Sequence, residues 1–446
     1  MEKFTILKDK YASPRITGEV ADCSMPMTFD TQSNCGFKCL YCFSQFQRAT
    51  GASAENYLAR NVKTVSVERF KKIFTDLDNP KNKFRHIIKN RITMQFGGLS
   101  DPFCPIEEQE GTSYEILKFL KEIKYPVCFS SKSDLILRDP KYLELFDGMQ
   151  DYWSYKASII TYEADKAAIV EAVTPTPEQR LQVLKALSEK GIWTILRLRP
   201  FIVGLTDLTY EALLYKAAEY GVKAVSTEFF CLELRSVNKS KAAYDTLSKV
   251  VGFDIVQFYK NVSPGSGYLR LNYSLKEKYV NRMVEICKET GMNLHISDAH
   301  HKEKGASGSC CGLPQNKDGS FALSKFSKFQ FTNALQIAKV KGFVTWDDIA
   351  DDDVWAKEMM VLEAPGFNSG NNYKREKKCH VTMYDYMRNL WNDPKDANSP
   401  YRYFSGILIP DKVDEKQNVV YKFDYNKSKA DPDSFGCNNC PKKCYG

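Results

Sequence analysis

The sequence predicts an α/β fold, built as an incomplete barrel of six parallel β/α repeats and followed by a C-terminal extension that contains cysteines. Two observations predict it. Strand-like and helix-like runs alternate from about Met94 onward, and a loop dense in cysteine follows an earlier strand-like run. Barrels of this kind place their sites at the carboxyl ends of strands, which is where that loop falls. A length of 446 residues leaves room for a barrel with extensions at both ends.

The elements follow in order. Met25–Asp30 reads as a short strand running into the cysteine loop, and Thr93–Gly97 as a short apolar strand ending at Gly97-Gly98. Ser113–Ile123 has helical spacing, Pro126–Ser130 is the next strand, and Lys141–Phe146 is a short helix. Tyr152–Thr161 contains another strand. Pro177–Lys190 is amphipathic, with proline in its first turn and Gly191 after its end, as a helix requires. Trp193–Leu198, Thr209–Tyr220 and Val222–Phe230 continue the alternation. Leu275–Thr290 is a helix and Asn293–Ser297 a further strand. This divides the chain into an extension (1–20), a barrel (21–235), its completion with connecting helices (236–305) and the C-terminal extension (306–446).

Sixty-three basic and 55 acidic residues give a formal charge of +8, and 43% of residues are hydrophobic. These are ordinary globular values, which excludes wholesale disorder. The opening residues lack the apolar core of a secretory signal, and no apolar run is long enough to cross a bilayer. The expectation is a soluble cytoplasmic protein without a membrane partner. Reducing conditions would not keep disulfides among its 14 cysteines, so the clustered ones point to metal.

Cys35, Cys39 and Cys42 stand at C-x3-C-x2-C spacing, three soft ligands within eight residues. The same spacing would form a stripe on a helix, but Gly36 weakens a helix there, and Phe37, Leu40, Tyr41 and Phe43 do not share the cysteine face. Three thiolates are one short of a closed site, whereas catalytic metals keep a position open. With an aromatic residue before its last cysteine, this motif resembles the signature of the radical S-adenosylmethionine (radical SAM) superfamily. The resemblance implies an incomplete (βα)6 TIM-like barrel in which the three thiolates hold a [4Fe–4S] cluster. SAM would chelate the remaining iron, and an electron donor such as flavodoxin or ferredoxin would supply the electron that splits it. The resulting 5′-deoxyadenosyl radical takes hydrogen from a substrate.

Four further stretches, GGLSDPFCPIE (97–107), SSKSDLILRD (130–139), EAVTPTPEQRL (171–181) and RPFIVGLTD (199–207), resemble the spore photoproduct lyase-like branch of that superfamily. By this resemblance Gly97 and Gly98 meet the amino group of SAM. Leu99 stands where the family usually has an acid, so Ser100 or Asp101 is the expected substitute. Ser158, Thr161 and Arg197 or Arg199 are the matches for ribose and carboxylate, and Pro200–Gly204 for the stretch that packs on adenine. Cys104 matches a cysteine that returns a hydrogen atom to the product radical. Each has a plainer reading: a glycine turn, a small buried cysteine, or arginines paired with Glu171 or Glu228.

The chain ends with Cys437, Cys440 and Cys444 at C-x2-C-x3-C spacing, with Cys379, His380, Cys310 or Cys311 as a fourth ligand. A second site is expected there, either an auxiliary [4Fe–4S] cluster or zinc, against the plainer reading of a frayed tail. Asp298–His301 reads as a polar loop. The basic run from Lys81 to Arg91 is either a solvated helix face or an edge that contacts phosphates. The leading expectation is a radical SAM enzyme, of lyase or transferase type, acting on a nucleic-acid base in repair or modification. The alternatives are a peptide-modifying relative with an auxiliary cluster and a non-catalytic iron–sulfur or zinc protein that binds nucleic acid.

Overall fold

The computed structural model describes residues 4–16, 23–44, 61–265, 268–306, 309–314, 329–350, 354–359 and 381–427. Cys379, His380, Cys437, Cys440 and Cys444 lie outside them. The chain forms two compact units. One comprises Met1–Pro14, Phe29–Lys72 and Gln95–Leu294; the other comprises Arg15–Thr28, Ile73–Met94 and His295–Gly446.

The fold is mixed α/β around one large sheet. Its strands are β1 (Arg15–Ile16), β2 (Met27–Phe29), β3 (Met94–Phe96), β4 (Val127–Ser131), β5 (Trp153–Ser158), β6 (Trp193–Phe201), β7 (Ala224–Phe229) and β8 (Asn293–Ile296). They lie side by side in chain order, from β1 at one edge to β8 at the other. The pairs β4–β5, β5–β6 and β6–β7 are parallel, while β1 runs antiparallel to β2. Helices cross between the parallel strands, as such pairing demands.

The elements form for local reasons. Helix α1 (Pro105–Glu110) starts at proline, and α2 (Thr112–Glu122) follows it. Helix α3 (Ala164–Val170) was not anticipated from sequence. Helix α4 (Pro177–Glu189) carries a full capping box, in which Thr176 Oγ1 accepts from the Gln179 amide and Gln179 Oε1 accepts from the Thr176 amide. It lies against β5 and β6 and buries Leu181, Val183, Leu184 and Leu187. Helix α5 (Tyr210–Glu219) leads into β7. Helix α6 (Tyr273–Thr290) starts two residues before its expected first residue, because the Asn272 side chain caps it by accepting from the Leu275 amide. The short helix expected over Lys141–Phe146 spans Pro140–Glu144, with proline at its start and Asp139 capping it. Strand β6 runs three residues past the expected Leu198, since its ladder resumes at Phe201 beside Phe229 after a register shift.

The second unit has its own three-stranded antiparallel sheet, with Val419–Phe423 between Phe343–Val344 and Leu408–Val413. Trp391 anchors it: the indole N–H donates to the Val419 carbonyl, and the ring meets Trp346 at 5.6 Å. The segment expected as a polar loop at His300 and His301 forms a short 3-10 helix, Ala299–Lys304, with His301 fully buried. Among the described residues, no helix is long and apolar enough to cross a membrane.

Candidate functional site

The site is built from two loops at the ends of β2 and β3. Asp30, the first residue past β2, is buried, and its Oδ1 accepts from the backbone amides of Gly98 (2.9 Å), Leu99 (2.7 Å) and Ser100 (2.9 Å). A carboxylate buried this deeply needs such donors. Gln32 continues the seam: its Nε2 donates to the Asp101 carbonyl (2.7 Å), and its own carbonyl accepts from Ser100 Oγ (3.0 Å). Gly97 has a φ of +85°, and a side chain there would meet Pro102 Cδ at 2.6 Å and the Ser130 carbonyl at 2.8 Å. Only glycine makes this turn without strain.

The Gly-Gly turn is thus anchored by Asp30, just past β2, a residue the sequence reading did not single out. Asp101 is engaged elsewhere, accepting from the Phe103 amide, Ser131 Oγ and the Lys132 amide (2.6 Å). Burial raises the Asp101 carboxyl above the usual carboxylate range against those donors.

The cysteine loop lies beside this seam. It is pinned at its middle, where Leu40 N donates to the Val170 carbonyl (2.9 Å), Cys39 bridges Glu171 along the backbone, and Tyr41 Oη bonds the Glu171 carboxylate. Glu171 forms a buried ion pair with Arg180 (2.7 Å), and Arg180 Nη1 donates to the Ser158 carbonyl at the end of β5 (2.8 Å). Burial would raise the Glu171 carboxyl, but the cations Arg180 and Lys132 outweigh it and hold it below its ordinary range. Lys132, at the end of β4, lies 3.8 Å from Glu171 and above the Tyr41 ring.

All three thiols of the loop are pushed above their ordinary range. The largest cause is a hydrogen bond with Cys104 for Cys35, and burial for Cys39 and Cys42. Cys39 also feels the charge of Cys42 and Cys35, and Cys42 that of Cys35, while Lys132 pulls Cys39 and Cys42 down. Three soft donors on one loop, Cys39 buried and Cys35 and Cys42 half-buried, all resisting ionisation, fit a cationic iron–sulfur group, whose charge would favour the thiolates. Among the described residues, no three His, Cys, Asp or Glu side chains are arranged to hold a single ion. That matters less for a [4Fe–4S] cluster, which takes each thiolate on a different iron and so spreads its ligands wider than one zinc would.

The other residues singled out in the sequence are placed as follows. Ser158 Oγ accepts from Arg197 Nη1 (3.2 Å). Arg199 pairs with Glu228, one of the two acids expected for it, whereas Glu171 is taken by Arg180. Thr161 is buried and turns the chain, its Oγ1 accepting from the Glu163 amide (3.2 Å) and lying 3.4 Å from Thr209 Oγ1. Cys104 is fully buried, and its Sγ is 3.4 Å from both Gly36 N and Gln32 Nε2. Asp30, Gln32, Lys132 and Arg180 were not singled out from sequence, although Lys132 and Arg180 fall within the quoted stretches and Asp30 ends the first strand.

No family model matches the chain. It is similar to an uncharacterized protein of Methanocaldococcus jannaschii, at 28% identity over 176 residues, which is 40% of this chain and 60% of that relative. Among solved structures, it is similar to a variant of spore photoproduct lyase (TM-score 0.45, 13% identity), covering 65% of this chain and 81% of that one. Spore photoproduct lyase complexed with dinucleoside spore photoproduct gives a TM-score of 0.44 at 12% identity, with the same coverage. SuiB of Streptococcus suis bound to S-adenosylmethionine gives 0.31 at 12% identity, over 50% of this chain and 44% of that one.

Proposed function

We propose that this chain is a radical SAM enzyme of the spore photoproduct lyase-like branch, built on an incomplete (βα)6 barrel with a C-terminal cysteine extension. The observation that carries the reading is the trio Cys35, Cys39 and Cys42. These thiols lie on a loop that leaves β2 and is sewn to the Gly97–Ser100 turn through Asp30. When bound, a [4Fe–4S] cluster with one iron free of protein thiolates supplies the electron for reductive cleavage of SAM to a 5′-deoxyadenosyl radical.

The chain's own residues do the rest. Cys35, Cys39 and Cys42 hold the cluster, and Lys132 offsets the negative charge gathered on the loop. The turn at Gly97 and Gly98, stiffened by Asp30, receives the methionyl end of SAM. Ser158, Thr161 and Arg197 or Arg199 are assigned to its ribose and carboxylate. Cys104 is assigned the return of a hydrogen atom to the product radical, so Cys104→Ala should change the product distribution. An unchanged distribution and turnover would remove that role. A flavodoxin or ferredoxin supplies the electron.

The proposed substrate is a base in nucleic acid. Support comes from the basic Lys81–Arg91 run; one similar structure is spore photoproduct lyase complexed with dinucleoside spore photoproduct. Cys437, Cys440 and Cys444, with Cys379, are proposed to hold a second [4Fe–4S] cluster or a zinc. The test is anaerobic reconstitution followed by SAM, dithionite and separate DNA, RNA and peptide substrates. Modified DNA or RNA is expected, and modification of peptide alone would redirect the assignment. Metal counts decide the second site: four irons per chain and no zinc would remove it.

A further inference from the structure

A buried guanidinium joins the cysteine loop to the end of β5. Arg180 lies one turn into α4 and is 1% exposed. Its Nε donates to the Pro175 carbonyl (2.9 Å), its Nη1 to the Ser158 carbonyl (2.8 Å) and its Nη2 to Thr174 Oγ1 (3.1 Å). The same Nη2 lies 2.7 Å from the carboxylate of Glu171, which is equally buried. The chain between these two residues has little slack. The amide and Oγ1 of Thr174 both donate to the Glu171 carbonyl (2.9 Å each), and Pro175 and Pro177 fix φ on either side of Thr176.

Beyond Glu171 the path continues into the cysteine loop. Leu40 N donates to the Val170 carbonyl (2.9 Å), the backbones of Cys39 and Glu171 pair, and Tyr41 Oη donates to the Glu171 carboxylate. At the other end Ser158 is held a second time, its Oγ accepting from Arg197 Nη1 (3.2 Å). One fork therefore spans from the chain beside Cys39 to the last residue of β5. A buried ion pair adds little net stability over packed apolar groups of the same size. What a planar cation with five donors supplies is a fixed geometry.

We infer that Arg180 is a positioning residue: acting through Glu171 and Ser158, it sets the spacing between the cysteine loop and the end of β5, so that SAM meets both at once. The inference rests on the assignments of the cluster to Cys35, Cys39 and Cys42 and of Ser158 to SAM. A ligand gripped at two points binds more tightly when those points already stand at the right separation. Outer partners that orient ligating groups typically account for about 10–100-fold in affinity or activity.

The test uses the reconstituted full-length protein and reads iron per chain, the unfolding midpoint, and the Kd for radiolabelled SAM by equilibrium dialysis without reductant. Arg180→Lys keeps a cation beside Glu171 but loses the fork. It should retain iron and bind SAM about 10–100-fold more weakly. Leu184→Ala, a buried residue of the same helix, should lower the unfolding midpoint and leave the Kd unchanged. An iron-loaded Arg180→Lys with the wild-type Kd overturns the inference, and so does a Leu184→Ala that weakens SAM binding equally. If Arg180→Lys does not fold or load iron, Glu171→Gln/Arg180→Met decides, because it removes both buried charges together. Folded with weakened SAM binding, or folded without iron, that double variant supports the positioning role. A wild-type Kd, or failure to fold, overturns it. A wild type that holds no more iron than Cys35→Ala/Cys39→Ala/Cys42→Ala overturns the cluster assignment itself, and an iron-loaded wild type that binds no SAM overturns the SAM assignment.

Discussion

Strands β4 to β7 have two faces with different chemistry. One face carries Phe129, Tyr155, Ala157, Leu196, Leu198 and Val225, all buried, and its rings pack tightly, with Phe129 meeting Trp153 at 5.2 Å and Phe146 at 5.3 Å. The other carries Ser130, Lys156 and Ser158, then Arg197, Arg199, Ser226 and Glu228, aligned by the same register. A parallel sheet covered on both faces is ordinarily apolar on both. Here one face is a core and the other holds buried polar groups that cost free energy unless paired. Lys156 is the extreme case: its ammonium is buried and donates to a neutral amide, Gln95 Oε1 (2.5 Å). Gln95 Nε2 in turn reaches Ser130 Oγ (3.1 Å) and the Gly97 carbonyl (3.3 Å). The polar face therefore supports the Gly-Gly turn from below, and the apolar face supports the fold.

The largest effect should come from the apolar face. Phe129→Ala removes a ring packed among five aromatic neighbours and should cost about 3–5 kcal/mol in denaturant unfolding. A cost under about 1 kcal/mol would mean that this face is not the core.

The next effect belongs to the edge strand β8. His295 is buried, with Nδ1 2.7 Å from the Ser309 carbonyl, and burial holds its imidazole down to about 4, from an ordinary value of 6.5. Because the folded value is lowered, this stability is fully present above pH 6.5. It is lost as pH falls toward 4, where the unfolded chain binds the proton first. The loss amounts to about 3 kcal/mol by linkage. Unfolding midpoints at pH 7.5 and 5 should differ less in His295→Gln than in wild type, and equal pH slopes would contradict the assignment.

The smallest stability effect should come from the polar face. Lys156→Met leaves Gln95 short of one partner but removes a buried ammonium, so stability should change by no more than about 1 kcal/mol. SAM cleavage should fall about tenfold or more as the Gly97 turn loses its support, which corresponds to roughly 1.4 kcal/mol at the transition state. A variant that unfolds easily yet cleaves SAM normally would make the polar face structural.

The helices and strands were legible wherever a local signal decides. Proline at position 177 and Gly191 marked α4 to within a residue of its end, and the runs at 126–130 and 152–161 marked β4 and β5. Arg197 and Arg199 stand two apart on one strand, as the sequence reading expected of Trp193–Leu198 and its continuation. Their partners were less legible, because Glu171 is claimed by Arg180 through a fold that sequence spacing does not encode. Asp30 was hidden for the same reason: it serves a turn 68 residues further along the chain. The cysteine spacing is plain in the sequence, but the placement of the Cys104 sulfur against Gly36 and Gln32 required the two loops to be seen together.

The most direct measurement of the central claim is 5′-deoxyadenosine formation. Wild type and the Cys35→Ala/Cys39→Ala/Cys42→Ala variant are reconstituted with iron and sulfide under anaerobic conditions, reduced with dithionite and given SAM. The wild type should release 5′-deoxyadenosine and the triple variant none above background. An iron-loaded wild type that leaves SAM intact, or a triple variant that cleaves it equally well, would contradict the account.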